Sequence, residues 1–388
     1  VVDRSPSGIF TKSQYDVGPS GGDTRVYPVV EMKSNYLSHA GTHTSACGVT
    51  AYRGDLLNRK FQDSVFVCEP IGHLVTRSIL RADGAALTAE RARPKADFIA
   101  SSDTWFRPAS LATGPDGALY LADMYRLWVE HPKFLPEDIA KKLDWRAGED
   151  RGRIYRIVPA SEPASVPANS AASPARTMPV DTASNSECVE LLRDSNGWRR
   201  QLGQRLLVER QAVETAADLR ALLKSSPSPR TRQHALWTLD GISELTANDV
   251  TSALGDHDLY VRHDAVQLAA SMIRSNPELL AGLDSLVNDD DVSVRLEVAV
   301  ALGETDADRA TDLLTKLAIQ NSSDEWMATA ILTSSSGRAG AILIGLLNDN
   351  SFAAASGAGQ VRLVNSLATV VGTRGDLAEV TQVLKVVV

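Results

Sequence analysis

The sequence predicts a chain of two parts, with antiparallel β-sheets before residue 160 and an α-solenoid after residue 187. Short β-favouring runs separated by turn signals fill the first part. It also holds 16 of the 21 aromatic residues, and the second part is rich in Leu and Ala. In that second part an arginine recurs at positions 200, 232, 262 and 295, at the spacing of paired helices.

The β part is organised around the stretch from Trp105 to Arg126, which predicts a hairpin. Apolar residues alternate up to Thr113, and Pro115-Asp116-Gly117 supplies a turn, because Pro fixes φ and Gly accepts a positive φ. An apolar return strand ends at Asp123, and the run from Gly152 to Pro159 predicts a third strand. Two strands alone bury too little surface to be stable, so neighbouring strands are expected.

Four further β-favouring runs precede the hairpin, and turn signals separate them. Four short antiparallel strands in about 50 residues have the size of one propeller blade. We therefore expect about two blades of a β-propeller, with the other blades before Val1, or else a different β architecture. A broken strand at 25–32 and a loop insertion at 130–151 complete this part. The four runs are Ser45–Tyr52, Ser64–Glu69, Leu74–Arg81 and Ala86–Arg91.

The solenoid prediction depends on three features that recur together. Four residues before each recurring arginine stands a good helix N-cap, and seven residues after it stands an apolar residue. The N-caps are Asn196, Ser228, Asp258 and Asp291. Amphipathic stretches at 216–223, 250–254, 278–287 and 310–319 supply the first helix of each pair, and Met327 replaces the arginine in a later copy. We expect the arginines to pair with the neighbouring repeat and to be structural.

A Pro-, Ser- and Ala-rich stretch separates the two parts and predicts an extended linker. The expected domains are 1–158, the C-terminal blades of a propeller; 159–187, the linker; and 188–388, the solenoid. The chain begins with Val and ends inside an apolar helix, so we expect a fragment cut at both ends.

Charge and motifs restrict the function. The net charge of −8 and the pI of about 5.5 argue against a general nucleic-acid binder. No apolar run reaches the ~18 residues of a membrane-spanning helix. No C-x-x-C-H haem motif is present among the three cysteines. Cys47 and Cys68 flank a turn centred near residue 57, so they are expected to face each other across two strands, either as a disulfide or as two buried thiols.

Polar residues at strand ends of the β part are the candidates for a catalytic or cofactor channel. A dehydrogenase needs a general base, for which His is common, and an anionic cofactor needs Arg partners. The sequence offers these types without a spacing that links them, so hydrogen-bonded loop residues and structural ion pairs are the alternative for each. The channel candidates are His43, Arg53, Asp55, Arg107, Asp123 and Arg126; Arg77, Asp116 and His131 have a weaker claim.

Several segments resemble one protein family. The segments are HTSACG (43–48), YRGD (52–55), VCEP (67–70), WFRP (105–108), GPDGALYLADMYR (114–126), EHP (130–132), DRGRIYRIVP (150–159), RLLVE (205–209) and ALWTLDG (235–241). They resemble the bacterial "membrane-bound dehydrogenase" family, whose propeller is similar to glucose and sorbosone dehydrogenases and continues into HEAT repeats and a cytochrome c domain.

The resemblance implies an exported sugar or alcohol dehydrogenase that uses pyrroloquinoline quinone (PQQ) and Ca²⁺. It also implies a periplasmic or cell-envelope location and a cytochrome or protein partner on the solenoid. The catalytic histidine of such enzymes belongs to a blade before Val1, so no cofactor residue is assigned in this chain. The alternative is a non-catalytic propeller and HEAT scaffold that binds protein or carbohydrate.

Overall fold

The computed structural model describes residues 25–30, 41–62, 64–129, 137–160, 182–354 and 357–387. The chain divides into two compact units. The unit that we call the β unit comprises Asp16–Arg81 and Leu87–Arg205. Among the described residues, the helical unit comprises Ala82–Ala86 and residues 206–387. The division lies inside a helix at Arg205, whereas the sequence predicts that the solenoid begins at 188.

The first sheet of the β unit has antiparallel strands in the order β1-β2-β3-β4, with the short β5 paired to β3. The strands are β1 Cys47–Ala51, β2 Ser64–Glu69, β3 Leu74–Asp83, β4 Ala86–Arg91 and β5 Ile99–Ala100. The four predicted runs are therefore confirmed as strands. Strand β5 was not predicted, because a two-residue strand leaves no periodic pattern in the sequence.

The second sheet is the predicted hairpin and its third strand, in the order β6-β7-β8. The strands are β6 Pro108–Thr113, β7 Leu119–Asp123 and β8 Arg153–Ile157. Leu111 lies opposite Leu121, and both point into a core that contains residues of both sheets. The phenol of Tyr52, 1% exposed, donates to the Gly117 carbonyl at 2.5 Å and so ties the first sheet to the hairpin turn.

Some predictions fall outside the described residues. These are His131 and the EHP segment, the first part of the loop insertion at 130–151, and most of the linker at 159–187. Of the broken strand predicted at 25–32, the described residues 25–30 show a single β-bridge, between Arg25 and Thr42. A short helix, α1 (Glu137–Ala140), lies in the described part of the insertion.

Helices α2 (Asn185–Leu191) and most of α3 (Gly197–Glu209) belong to the β unit. The helical unit then alternates first helices α4, α6, α8, α10 and α12 with second helices α5, α7, α9, α11 and α14, and successive second helices pack side by side. The bounds are α4 Ala216–Ser225, α5 Pro229–Gly241, α6 Ala247–Leu254, α7 Leu259–Met272, α8 Leu279–Leu286, α9 Val292–Ala301, α10 Asp308–Asn321, α11 Glu325–Thr333, α12 Ala339–Asn348, α13 Asn350–Ala353, α14 Ala358–Arg374 and α15 Leu377–Val387. Among the described residues, no helix combines the length and apolar character needed to cross a membrane.

The predicted N-caps are confirmed at all four positions. Asn196, Ser228, Asp258 and Asp291 each accept a hydrogen bond from a main-chain N–H of the helix that follows. The residues three, four and seven positions after the last three recurring arginines are all fully buried. Cap and apolar face therefore recur together, as the period of the sequence indicates.

Three of the four recurring arginines join consecutive repeats, as predicted. Arg232 makes two hydrogen bonds of 2.7 Å to Asp256, and Arg262 binds Asp289 in the same way. Arg295 donates to Asn321 at 2.9 Å. Each of these guanidinium groups also donates to the main-chain carbonyl of the residue six positions before it. Each arginine therefore holds the loop before its own helix and also binds a residue of the following repeat.

Candidate functional site

Three of the six channel candidates lie together at the open end of the β6–β7 hairpin. Arg107 is 6% exposed, and its guanidinium donates to the main-chain carbonyls of Pro70, Arg126 and Leu127 at 3.0, 3.0 and 2.6 Å. Its main-chain N–H donates to Asp123 Oδ1 at 2.7 Å. Since guanidinium hydrogen bonds to carbonyls fix chain segments in place, Arg107 joins three loops of the β unit.

Asp123 and Arg126 complete this group, which we call the arginine cluster. Asp123 Oδ1 also accepts from the Tyr125 N–H at 2.8 Å and so caps the end of β7. The Arg126 guanidinium donates to main-chain carbonyls of two segments, 124–125 and 148–151. In this cluster, the charged side chains thus mainly form hydrogen bonds with main-chain N–H and C=O groups.

His43 lies at a neighbouring loop and binds a buried carboxylate. Glu69, fully buried, accepts from His43 Nδ1 at 3.3 Å and from the N–H groups of Thr44, Ser45 and Ile71 at 3.0 to 3.3 Å. Burial alone would raise the pKa of Glu69, but the hydrogen bonds from His43 and the main chain lower it below its ordinary value. Glu69 therefore stays ionised and orders the loop before β1.

Arg53 and Asp55 lie at the other end of the hairpin. The Arg53 N–H donates to Thr113 Oγ1 at 3.2 Å, and Asp55 accepts from the Ser195 hydroxyl at 2.5 Å. Thr113 ends β6, whereas Arg107 precedes it, and the six residues of β6 span roughly 20 Å at about 3.3 Å per residue. The six candidates consequently divide between two ends of the sheet.

The arginine cluster does not fit an anionic quinone cofactor. Such a cofactor needs guanidinium N–H groups that face a cavity, and those of Arg107 and Arg126 donate to main-chain carbonyls. The β unit also holds a largely apolar pocket of about 440 Å³, lined among others by Leu56, Phe61 and Phe98. None of the six candidates is among its lining residues. A catalytic role for them stays a prediction.

The weaker candidates have structural contacts. Arg77 donates to the Ser64 hydroxyl at 2.9 Å and lies over the ring of Phe61. Asp116 Oδ1 accepts from the Ala118 N–H at 3.1 Å, as expected of a turn residue, and Oδ2 accepts from Arg156 at 2.6 Å.

Cys47 and Cys68 lie directly opposite each other in the β1–β2 register, as predicted. Of the two alternatives that the sequence left open, the structure has two free thiols and no disulfide between them. Cys68 is fully buried and Cys47 is half-buried against the same core.

A polar network that the sequence did not predict crosses three second helices. Gln233 and the Trp237 indole donate to Asp264, the former at 2.8 Å. His263 Nε2 lies 3.4 Å from Glu297 Oε1. We call this network the second-helix band; its residues are Gln233, Trp237, His263, Asp264, Gln267 and Glu297.

The band has a signal in the sequence once the repeats are aligned on their arginines. Gln233 and His263 follow the arginine by one residue, Asp264 and Glu297 by two, and Trp237 and Gln267 by five. These positions are polar or aromatic in the repeats of Arg232 and Arg262, and the second of them is polar in the repeat of Arg295 too, whereas positions three and four are apolar. The band therefore occupies the face of the second helices opposite the core.

Hydrogen bonds and burial shift the pKa values of two groups in the band. The hydrogen bond to Glu297 raises the pKa of His263, although burial opposes it. Burial raises the pKa of Asp264, and the hydrogen bonds from Gln233 and Trp237 offset only part of that effect. The band combines carboxylates, amides and an indole, which are groups that bind peptide donors and cationic side chains.

Comparison with known families gives a match to each of two separate segments of the chain. A family model described as HEAT repeats matches residues 247–335, which include α6 to α11. The helical unit contains HEAT repeats. The second-helix band lies partly inside the matched segment and partly in the HEAT-like pair before it. Residues 2–161 match a family described as "Domain of unknown function (DUF7133)". No curated protein matched the chain.

Proposed function

We propose that this chain is an interaction protein that holds a protein partner along the second helices of its HEAT repeats. We also propose that its two antiparallel sheets are blades of a β-propeller. The second-helix band is the observation that carries the proposal. HEAT repeats stack into extended surfaces, and such surfaces serve protein binding.

The chemistry of the band suggests which partner segment it would hold. Asp264 and Glu297 place two carboxylates on neighbouring second helices, and the whole chain has a net charge of −8. The exposed Gln267 donates to Glu297 at 3.4 Å and so adds an amide beside that carboxylate. A partner segment with a Lys or Arg side chain would find its acceptors here.

Site-specific photocrosslinking tests this proposal in the full chain. A photoreactive residue replaces Gln267, exposed on the second helix α7, and in a matched control it replaces Ser285, exposed on the first helix α8. We expect a discrete crosslinked protein from position 267 alone. Excess unlabelled wild-type chain should suppress the product, and Asp264→Asn with Glu297→Gln should reduce it about tenfold, since a charged contact is worth about 1.4 kcal/mol or more.

Two results would refute the proposal. One is the same crosslinked protein from positions 267 and 285, because nonspecific binding outside the band would produce that result. The other is the absence of any product that the wild-type chain suppresses.

The expectation of a PQQ-type dehydrogenase stays a prediction, together with its Ca²⁺, sugar or alcohol substrate, cytochrome partner and periplasmic location. The guanidinium groups of Arg107 and Arg126 donate to main-chain carbonyls and do not fit the quinone, so no reaction step is derived for this chain. Titration of the purified protein with PQQ and Ca²⁺, followed by aldose-dependent dye reduction, tests it. Saturable binding with turnover would support the enzyme, and a folded protein without either would favour the interaction protein.

A further inference from the structure

The two cysteines of the β unit are arranged as a cross-strand pair. Cys47 on β1 and Cys68 on β2 are direct partners in the register, so their side chains lie on the same face of the sheet. Both belong to one apolar core, in which Cys68 is fully buried and Cys47 packs against the buried residues. The Cys47 thiol donates to the Pro108 carbonyl at 3.8 Å, so it too points inward.

A β-bulge produces this pairing. Thr50 pairs with Phe66, and an uninterrupted register would place Cys47 opposite Glu69. The register instead shifts by one residue between Cys47 and Thr50. Gly48 lies at the shift with φ of +59°, in the left-handed region that glycine adopts at a bulge. A Cβ at that position would lie 2.7 Å from the Ala109 carbonyl oxygen, so any other residue would force the backbone to shift.

The geometry of such a pair is close to that of a disulfide. Directly opposed residues of antiparallel strands have Cβ atoms about 4.5–5.5 Å apart. Disulfides need about 3.5–4.5 Å. A small approach of β1 toward β2 is therefore sufficient.

We propose that Cys47 and Cys68 form a redox-active dithiol that closes to an intramolecular disulfide by exchange with a low-molecular-weight disulfide such as oxidised glutathione. The half-buried Cys47 reacts first, because the fully buried Cys68 is out of reach of the reagent. Burial raises the pKa of both thiols, that of Cys68 to about 12, so the greater exposure of Cys47 decides which thiol reacts first.

The exchange is balanced in two steps. The Cys47 thiolate attacks one sulfur of oxidised glutathione, forms a mixed disulfide and releases one glutathione thiolate. Cys68 then loses its proton to solvent, its thiolate attacks the Cys47 sulfur and releases the second glutathione thiolate, and solvent protonates both released thiolates. The protein dithiol is oxidised by two electrons, and one glutathione disulfide is reduced to two thiols. This inference does not depend on the proposed function.

Thiol counting on the full chain tests the proposal. The reduced protein is equilibrated in glutathione buffers of increasing oxidised fraction, quenched with acid, denatured and alkylated. We expect the number of alkylated cysteines to fall from three to one and the surviving thiol to be Cys188, buried in α2. Proteolysis and mass spectrometry should recover a peptide pair joined through Cys47 and Cys68.

Two variants distinguish a Cys47–Cys68 disulfide from a disulfide that includes Cys188. Cys188→Ser should lose both remaining thiols over the same range of buffers, whereas Cys47→Ser should form no intramolecular disulfide. Persistence of all three thiols in buffers that oxidise the urea-unfolded chain would overturn the proposal. So would a disulfide that includes Cys188, or an intramolecular disulfide in Cys47→Ser.

Discussion

Arg232 and Asp256 form an ion pair whose side chains are 3% and 10% exposed. Removing one partner of a buried pair leaves the other charge without compensation, which costs about 3 kcal/mol. We therefore expect Arg232→Met to lower the free energy of unfolding of the helical unit by about that amount. Urea denaturation followed by circular dichroism measures it.

A matched control lies on the same solenoid. Arg309 pairs with Asp284 at 2.9 Å, but their side chains are 55% and 36% exposed. Exposed pairs contribute about 0–1 kcal/mol, so Arg309→Met should have a small effect. Equal losses in the two variants would show that burial does not determine the contribution of these arginines.

His263 gives the second-helix band a pH dependence. Its pKa is raised above 6.5, chiefly by the hydrogen bond to Glu297, and Asp264 and Asp291 also favour its charged form. A raised folded-state pKa means that the stabilisation is fully present below the unfolded value and is lost as pH rises through the folded value. In strong acid the pair also fails, because Glu297 becomes protonated.

We expect His263→Gln to lose about 1 kcal/mol of unfolding free energy at mildly acidic pH and much less in alkaline solution. Unfolding curves across that range, with an NMR titration of the imidazole, measure the effect. A loss that does not change with pH would mean that the His263 charge contributes nothing and that only its packing does.

At the scale of elements, the bulge at Gly48 fixes the edge of the first sheet against β6. We expect Gly48→Ala to destabilise the β unit, by about 1 kcal/mol for the left-handed backbone and by a further 1 kcal/mol or more for overpacking against Ala109. Gly41 is the control, since its φ of +89° is also positive but no atom lies within 4 Å of a Cβ there. Thermal unfolding should show a smaller shift for Gly41→Ala, and equal shifts would refute the packing argument.

Elements that depend on local period or turn chemistry could be predicted from the sequence. The caps at Asp258 and Asp291, the recurring arginines and the β6–β7 turn each depend on residues within a few positions. The bulge at Gly48 could not be predicted, because it depends on the approach of β6 from a distant part of the chain. The contacts of the candidate site could not be predicted for the same reason, because the Arg107 guanidinium binds main-chain carbonyls of distant segments, whose positions the residue types do not indicate.

At the scale of the whole molecule, the β unit extends beyond its strands. It includes α2 and α3 as far as Arg205, although these residues have the caps and period of the helical repeats. Asn196, 1% exposed, caps α3 and also donates to the carbonyls of Gly114 and Pro115 at 3.0 and 3.1 Å. The Gly197 N–H donates to the Arg53 carbonyl at 2.8 Å. The first helical pair is therefore part of what stabilises the hairpin turn.

This arrangement predicts that a fragment ending after the last strand is less stable than one ending after α3. A chain of residues 1–209 should unfold at a higher urea concentration than a chain of residues 1–160. The shorter chain loses the donors of Asn196 and Gly197, at about 1 kcal/mol for each hydrogen bond. Asn196→Ala in the longer fragment should remove part of the difference, because it deletes two of these bonds and the cap of α3. If both fragments unfold at the same urea concentration, the strands are stable on their own and α2 and α3 only rest against them.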